Sequence, residues 1–310
     1  MTPRLNDIAK YMRKRHQVYL DRKAGKPGPW SDDPILAVGR FCNVFRELDT
    51  VTIWVRKNIR ESYPDQKHLW FMLAIARYIN WPPTLQLLIE EGAWPSMQSF
   101  KPSDMTRVLE AFARTGSKVY TGAYMIRAES DPNKEWYSWT KHRYIAEIVL
   151  GRLWEKRHRF MDLLAKPGVT LERTWAMFQA PEFVGWGPFM AYEVVTDLRH
   201  TRYLRNAPDI YTWANAGPGA IRGLNRLYGR DLKAHPPAAQ TNNEMLMLMD
   251  ELNGLVPKVL SLSAVFGTSP RTFEMRDIEH SLCEFDKMER VRLGEGKMRS
   301  KYDWRKATTL

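Results

Sequence analysis

Cysteine is almost missing from this chain of 310 residues, which carries only Cys42 and Cys283, and that scarcity removes several classes of function at once. No CxxC pair and no His/Cys cluster at metal-ligand spacing occurs, so neither a structural zinc site nor an iron–sulfur cluster is written here. A disulfide is not expected in a reducing compartment. Also absent is any apolar run near the ~18 residues that a membrane span needs. The opening MTPRLNDIAKYMRKRH lacks the apolar core of a signal peptide, so a cytoplasmic protein with no membrane partner is expected. No GxxxxGK[ST] phosphate loop appears, since the glycine-rich segment GPGAIRG has neither lysine nor hydroxyl where that loop requires them.

Negative charge is in deficit. Against 47 Lys+Arg stand 35 Asp+Glu, a net charge of +12, which favours a polyanionic partner but speaks only to non-specific attraction. The basic residues gather near the ends, in Arg13-Lys14-Arg15-His16, in Arg22-Lys23 and from Lys297 to Lys306. They read either as arms reaching phosphates or as solubilising termini.

What is present is helical. Hydrophobic residues make up 44% of the chain, enough for a normal core. They recur at three and four spacing in Leu69, Leu73, Ala76, in Val108, Leu109, Phe112 and in Tyr144, Ile148, Leu153. Alternating strand patterns are lacking, so the class is mainly α. Ser103 and Thr170 read as N-caps. Breaks fall at Lys26-Pro-Gly-Pro29, Trp81-Pro-Pro83, Lys166-Pro-Gly168, Gly217-Pro-Gly219 and His235-Pro-Pro237. This suggests a basic N-terminal arm or helix over 1–34, a helical catalytic domain over 35–292, open to division into two lobes, and a basic tail over 293–310. The twelve tryptophans read as core or helix-contact residues, with none assigned to base stacking.

Two segments carry chemistry. In GWGPFMAYEVVTDL, at 185–198, two glycines one residue apart precede a helix-like run. Glycine permits a tight turn, and free N–H groups at the next helix start can face a phosphate. Alone, the feature fits a plain helix–helix turn equally well. With RNAPDIYTWANAGPGAIRGLNRL downstream, residues 170–215 resemble the helix–hairpin–helix DNA glycosylases. That likeness implies a glycosylase-like helical fold with additional N-terminal helices, DNA contact by Gly185, Gly187 and Arg199, and an essential role for Asp209. Phe189 stands where bifunctional members carry their Schiff-base lysine, so lyase chemistry is not expected.

The second segment is RFCNVFRELDTVTIW. Arg40, Asn43, Arg46, Asp49 and Thr52 fall every third residue, beside an apolar stripe of Phe41, Val44, Phe45, Leu48 and Val51, which predicts a helix over 40–54. Its bland reading is a solvated helix side with an Arg46–Asp49 ion pair. Together with TGAYMIRAE at 121–129, the hairpin block, PDIYTWANAGPGAIRGLNRL at 208–227 and DIEHSLCEFDKMER at 277–290, the segment is similar to the phage α-glutamyl/putrescinyl thymine pyrophosphorylase family, which includes amino acid:DNA transferases. Related N-terminal helical motifs occur in 5-hydroxymethyluracil DNA kinases.

The resemblance implies an enzyme of thymine hypermodification: double-stranded DNA carrying phosphorylated 5-hydroxymethyluracil loses the phosphate or pyrophosphate to a free amino acid, glycine being favoured. Base flipping suits that task. Arg40 and Arg46 are then expected to neutralise the leaving group, with Asn43 donating a further hydrogen bond, and Asp209 to act as general base with Glu284 in reserve. Asp49, Lys287, Tyr124 and the Gly217/Gly219 turn complete the expected substrate site. Mg2+ would suit a pyrophosphate, although no carboxylate spacing demands it. Cys42 or Cys283 would assist a route through C6 addition only as a thiolate. The alternatives are a monofunctional glycosylase and a non-catalytic DNA-binding module. If the basic ends and the hairpin contact phosphates, duplex affinity should fall log-linearly with salt, by about 0.9 log unit per log unit for each contact; a flat titration removes those contacts.

Overall fold

The computed structural model describes residues 2–259, 272–298 and 300–306. The chain begins with α1 (Leu5–Lys23) and α2 (Pro34–Val38), then passes through α3 (Thr50–Val55), α4 (Leu69–Ile79), α5 (Pro82–Glu90), α6 (Pro102–Arg114), α7 (Lys141–Arg143) and α8 (Gly151–Glu155). It continues with α9 (Arg157–Leu164), α10 (Leu171–Phe178), α11 (Pro188–Leu198), α12 (Pro218–Leu227), α13 (Ala238–Val259) and α14 (Met275–Arg292). Among the described residues there is no strand, only an isolated bridge between Gly39 and Lys301, and no helix is long and apolar enough to cross a membrane. Two compact units result. One joins residues 1–49 to 210–310, and the other is the continuous stretch 50–209.

In the second unit α4 is buried at every position, as expected of a helix that is apolar all round. Its exception is Arg77, 1% exposed, whose guanidinium takes both oxygens of Asp197 on α11 and also donates to Thr52 Oγ1 at 3.0 Å and Asn80 Oδ1 at 3.3 Å. Those bonds satisfy a charge that burial would otherwise make very costly. Asn80 ends α4 in the left-handed region at φ 46, and Pro82 opens α5 with its preset backbone angle.

In the first unit α12 lies against α14 at backbone distance. A Cβ at Gly223 would stand 2.5 Å from the Leu282 carbonyl oxygen, and one at Gly219 would stand 3.2 Å from Cys283 Cβ. The same face of α12 supplies Arg222 and Arg226, whose Nε atoms both donate at 2.9 Å to the buried Asp286 of α14. A reciprocal cap between Glu274 and Asp277 starts α14.

Three expectations are corrected. Residues 40–54 are not one helix: 40–45 are irregular, Arg46–Leu48 form a 3-10 turn and α3 starts only at Thr50, because Asn43 and Asp49 bond across the segment instead of along a helix. Ser103 is not the N-cap of α6. Pro102 is already helical and Lys101 occupies that position. Arg15 and His16, read as part of a basic terminus, are 8% and 2% exposed within α1. Thr170 does cap α10, accepting from Arg173 N at 3.0 Å. Of the expected tail, residues 299 and 307–310 lie outside the described residues, while Tyr302 N donates to Val38 O at 2.6 Å.

Asp197→Asn keeps the shape but leaves Arg77 charged without its counter-ion. Stability of the variant, measured by urea denaturation, should fall by about 3–5 kcal/mol; an unchanged midpoint would show that the pair is dispensable.

Candidate active site

One face of α14 repeats polar residues at helical spacing: Arg276, Glu279 and His280, Cys283 and Glu284, Lys287. Facing groups come from the irregular segment 40–49, from α1 and from the start of α12. Glu284 Oε2 accepts Cys42 N–H at 3.0 Å, while Lys287 Nζ lies 2.8 Å from Glu284 Oε1 and donates to Arg40 O at 3.1 Å. Asn43 is held at three atoms. Its N–H donates to Asp49 Oδ1 at 2.8 Å, its Nδ2 to Leu48 O at 2.8 Å, and its Oδ1 accepts from Arg15 at 2.7 Å. Gly217 N–H donates to Glu279 Oε1 at 3.4 Å, and Arg276 lies 3.8 Å from Glu47.

Burial governs the protonation of this cluster. Glu279 is pushed up to about 7, burial outweighing the Gly217 N–H, Arg46 and Arg276, with Glu284 raising it further. Asp49 is raised as well, against the pull of Arg46. His280 is held well below its ordinary value, first by burial and then by Arg46, Arg276, Lys287 and Arg15, so it is neutral at pH 7. Burial lifts the Cys283 thiol to about 12 and the Cys42 thiol well above its usual range. Both sulfurs are therefore protonated at neutral pH, which argues against either as the thiolate that would add to C6. Cys42, Asp49 and His280 place one donor atom each within 4.8 Å of one another. A thiol, a carboxylate and an imidazole form a zinc-type set rather than the all-oxygen shell magnesium prefers, and the surrounding arginines oppose a dication.

A family model described as the 5-hmdU DNA kinase, helical domain, matches residues 2–298. The chain belongs to this family. A 5-hmdU DNA kinase of Bacillus phage SP10 is 27% identical over 217 residues, which is 66% of this chain and 33% of that protein; the chain thus spans about a third of the length of the curated relative it matches. No solved structure matches.

Within this helical-domain family member, the expected site residues separate by unit. Asn43, Arg46, Asp49, Glu284 and Lys287 join the α14 cluster of the first unit. Arg40 contributes its carbonyl there, while its guanidinium Nε donates to Lys301 O at 3.0 Å. Gly217 meets the cluster through Glu279, and Gly219 serves close helix packing instead of presenting a turn to an anion. The remaining residues belong to the second unit. Asp209 accepts Leu171 N–H at 2.8 Å and Glu172 N–H at 3.0 Å, so both oxygens are occupied in capping α10. Tyr124 donates to Glu193 at 2.5 Å and meets the ring of Phe189 edge-on. Gly185, at φ +82, is needed for its backbone angle and for space beside Val149. Gly187 precedes α11 in open space, where a Cβ would meet nothing within 4 Å, and Arg199 ends that helix. Sequence reasoning missed Arg15, Arg276, Glu279 and His280. The polar spacing along α14 was a readable signal for the last three.

The Glu279 shift has a signed consequence. A carboxyl whose folded pKa exceeds its unfolded value of about 4.3 binds its proton more tightly when folded. Its stabilisation is complete below that value and is lost as pH rises through about 7. Glu279→Gln should therefore gain stability relative to the parent as pH rises from about 4.3 to about 7, measured by denaturation across that range. Parallel curves would remove the shift.

Proposed function

We propose that this protein is a DNA-modifying transferase that replaces the phosphate or pyrophosphate of an activated 5-hydroxymethyluracil in duplex DNA with an amine, the α-amine of glycine being favoured. The observation that carries the reading is the α14 cluster, in which a carboxyl poised at about 7 lies among arginines. Membership of a 5-hmdU DNA kinase helical-domain family supports a substrate bearing a 5-hydroxymethyl pyrimidine. No P-loop lies within the sequence, which favours a step other than ATP-dependent phosphorylation for this chain's own residues.

The step balances simply. The amine nitrogen forms a bond to the exocyclic carbon on C5, the carbon–oxygen bond breaks, and the phosphate or pyrophosphate departs with the bonding pair. The amine proton goes to a carboxylate. Glu279 replaces Asp209 in that role, because its affinity for a proton near neutrality suits general-base work whereas Asp209 is bound to backbone N–H groups. Arg46 and Arg40 neutralise the leaving group, and Asn43 positions Arg15 and Asp49 instead of donating to substrate. In the second unit α10 and α11, joined through Gly185 and Gly187, act as the helix–hairpin–helix element holding DNA backbone, with Arg199 assisting.

The test is nucleoside mass spectrometry of duplex DNA containing phosphorylated 5-hydroxymethyluracil after incubation with glycine and other amines. A heavier intact nucleoside is expected; released free base would mean a glycosylase, and an unchanged nucleoside would mean a binding module. Glu279→Gln should lower turnover by about two or more orders of magnitude and remove the rise of rate with pH near 7. Asp209→Asn removes one of the two oxygens that accept backbone N–H groups and should cost about 1–3 kcal/mol of stability while turnover of the folded enzyme persists. Reversal of those two results returns the base role to Asp209.

A further inference from the structure

Beside the α14 cluster, the first unit contains a cavity of about 210 Å³ lined by Arg15, Arg22 and Arg40, by the rings of Trp30, Phe41 and Tyr302, and by small apolar residues of and around α2. Its charge is of one sign, since the lining has no acidic residue. Arg15 is the deepest of the cations at 8% exposure. One terminal nitrogen holds Phe41 O at 3.0 Å and Asn43 Oδ1 at 2.7 Å, while the other, Nη1, is buried with no hydrogen-bond partner. Three guanidiniums lining a cavity without a carboxylate, one of them buried with a nitrogen unpaired, call for an anion. Aromatic walls call for a planar group. Arg22 lies 5.2 Å from the Trp30 ring centroid and 5.0 Å from that of Tyr302, and the two rings are 6.0 Å apart at 48°. The volume is below the roughly 300 Å³ at which sites for drug-sized ligands begin, which suits one base with its substituent.

Building on the proposed function, we propose that this cavity receives the activated pyrimidine itself: the flipped base stacks on Trp30 or Tyr302, and its ester phosphate meets the guanidiniums of Arg15, Arg22 and Arg40, Arg40 being common to this contact and to the leaving-group pair with Arg46. Stacking on aromatic side chains and cation contact from arginine are the general means of holding an unpaired base. Arg15 then links recognition to chemistry, because the same side chain holds Asn43 of the cluster.

The experiment is isothermal titration of the full chain with 5-phosphomethyl-2′-deoxyuridine, with the unphosphorylated 5-hydroxymethyl nucleoside, and with inorganic phosphate. The phosphorylated nucleoside should bind best. Trp30→Ala and Tyr302→Ala should each weaken it by about 5- to 150-fold, the range that loss of one base–aromatic stack produces, and Trp30→Phe should restore most of the loss. Equal binding of inorganic phosphate and phosphorylated nucleoside overturns the pyrimidine site in favour of a bare anion site. Unchanged affinity in both alanine variants also overturns it. Amine transfer to duplex DNA is read in parallel. Transfer by variants with an unaltered KM removes the cavity and leaves the transferase reading intact; specific nucleotide binding without any transfer by the parent supports the cavity and removes the reading.

Discussion

Burying a helix face that bears charges is the constraint from which the candidate site follows. Arg276, Glu279, His280, Glu284 and Lys287 lie along α14, and each charge removed from water needs a partner or must neutralise. Glu284 is the central partner, accepting the Cys42 backbone N–H while pairing with Lys287. That contact ties the start of residues 40–49 to α14, while Asn43 and Asp49 bond across the segment. Glu279, with less compensation, holds its proton up to about 7.

The second unit meets the same constraint differently. Arg77 on the apolar helix α4 is matched by Asp197 on α11, with Thr52 and Asn80 using further guanidinium donors. Here the pair is closed and structural. In the first unit the balance is incomplete, with a neutral His280, a raised Glu279 and an Arg15 nitrogen that lacks a partner. Incomplete compensation is expensive in a fold and useful in a site, because groups poised between protonation states or lacking a partner are the ones a substrate can engage.

Glycine shows how one residue type serves several ends. Gly185 is held at φ +82 beside Val149, a demand of backbone and packing together. Gly219 and Gly223 have no such angle, yet they let α12 approach α14 closely enough for Arg222 and Arg226 to reach Asp286. The glycine pattern of GPGAIRG thus has a packing reason. Its spacing answers to a helix contact.

The helical class, the proline and glycine breaks, the Thr170 cap and the starts of α11 and α12 were legible in the sequence by itself, because periodicity and capping act within a few residues. Asn43, Arg46, Asp49, Glu284 and Lys287 were named from the sequence too, but together with Asp209, Tyr124, Gly185, Gly187 and Arg199, and nothing local separated the two sets. Tertiary structure decided what sequence-local rules could not reach. It bent 40–49 out of the helix that its three-residue spacing predicts, since the Asn43 N–H turned onto Asp49 and its side chain found Arg15 outside the segment. It gave Asp209 to the N-terminus of α10, where free N–H groups attract a carboxylate. And it set Arg15, Trp30 and Tyr302 around one cavity, because side chains that far apart along the chain share a surface only after the helices have packed.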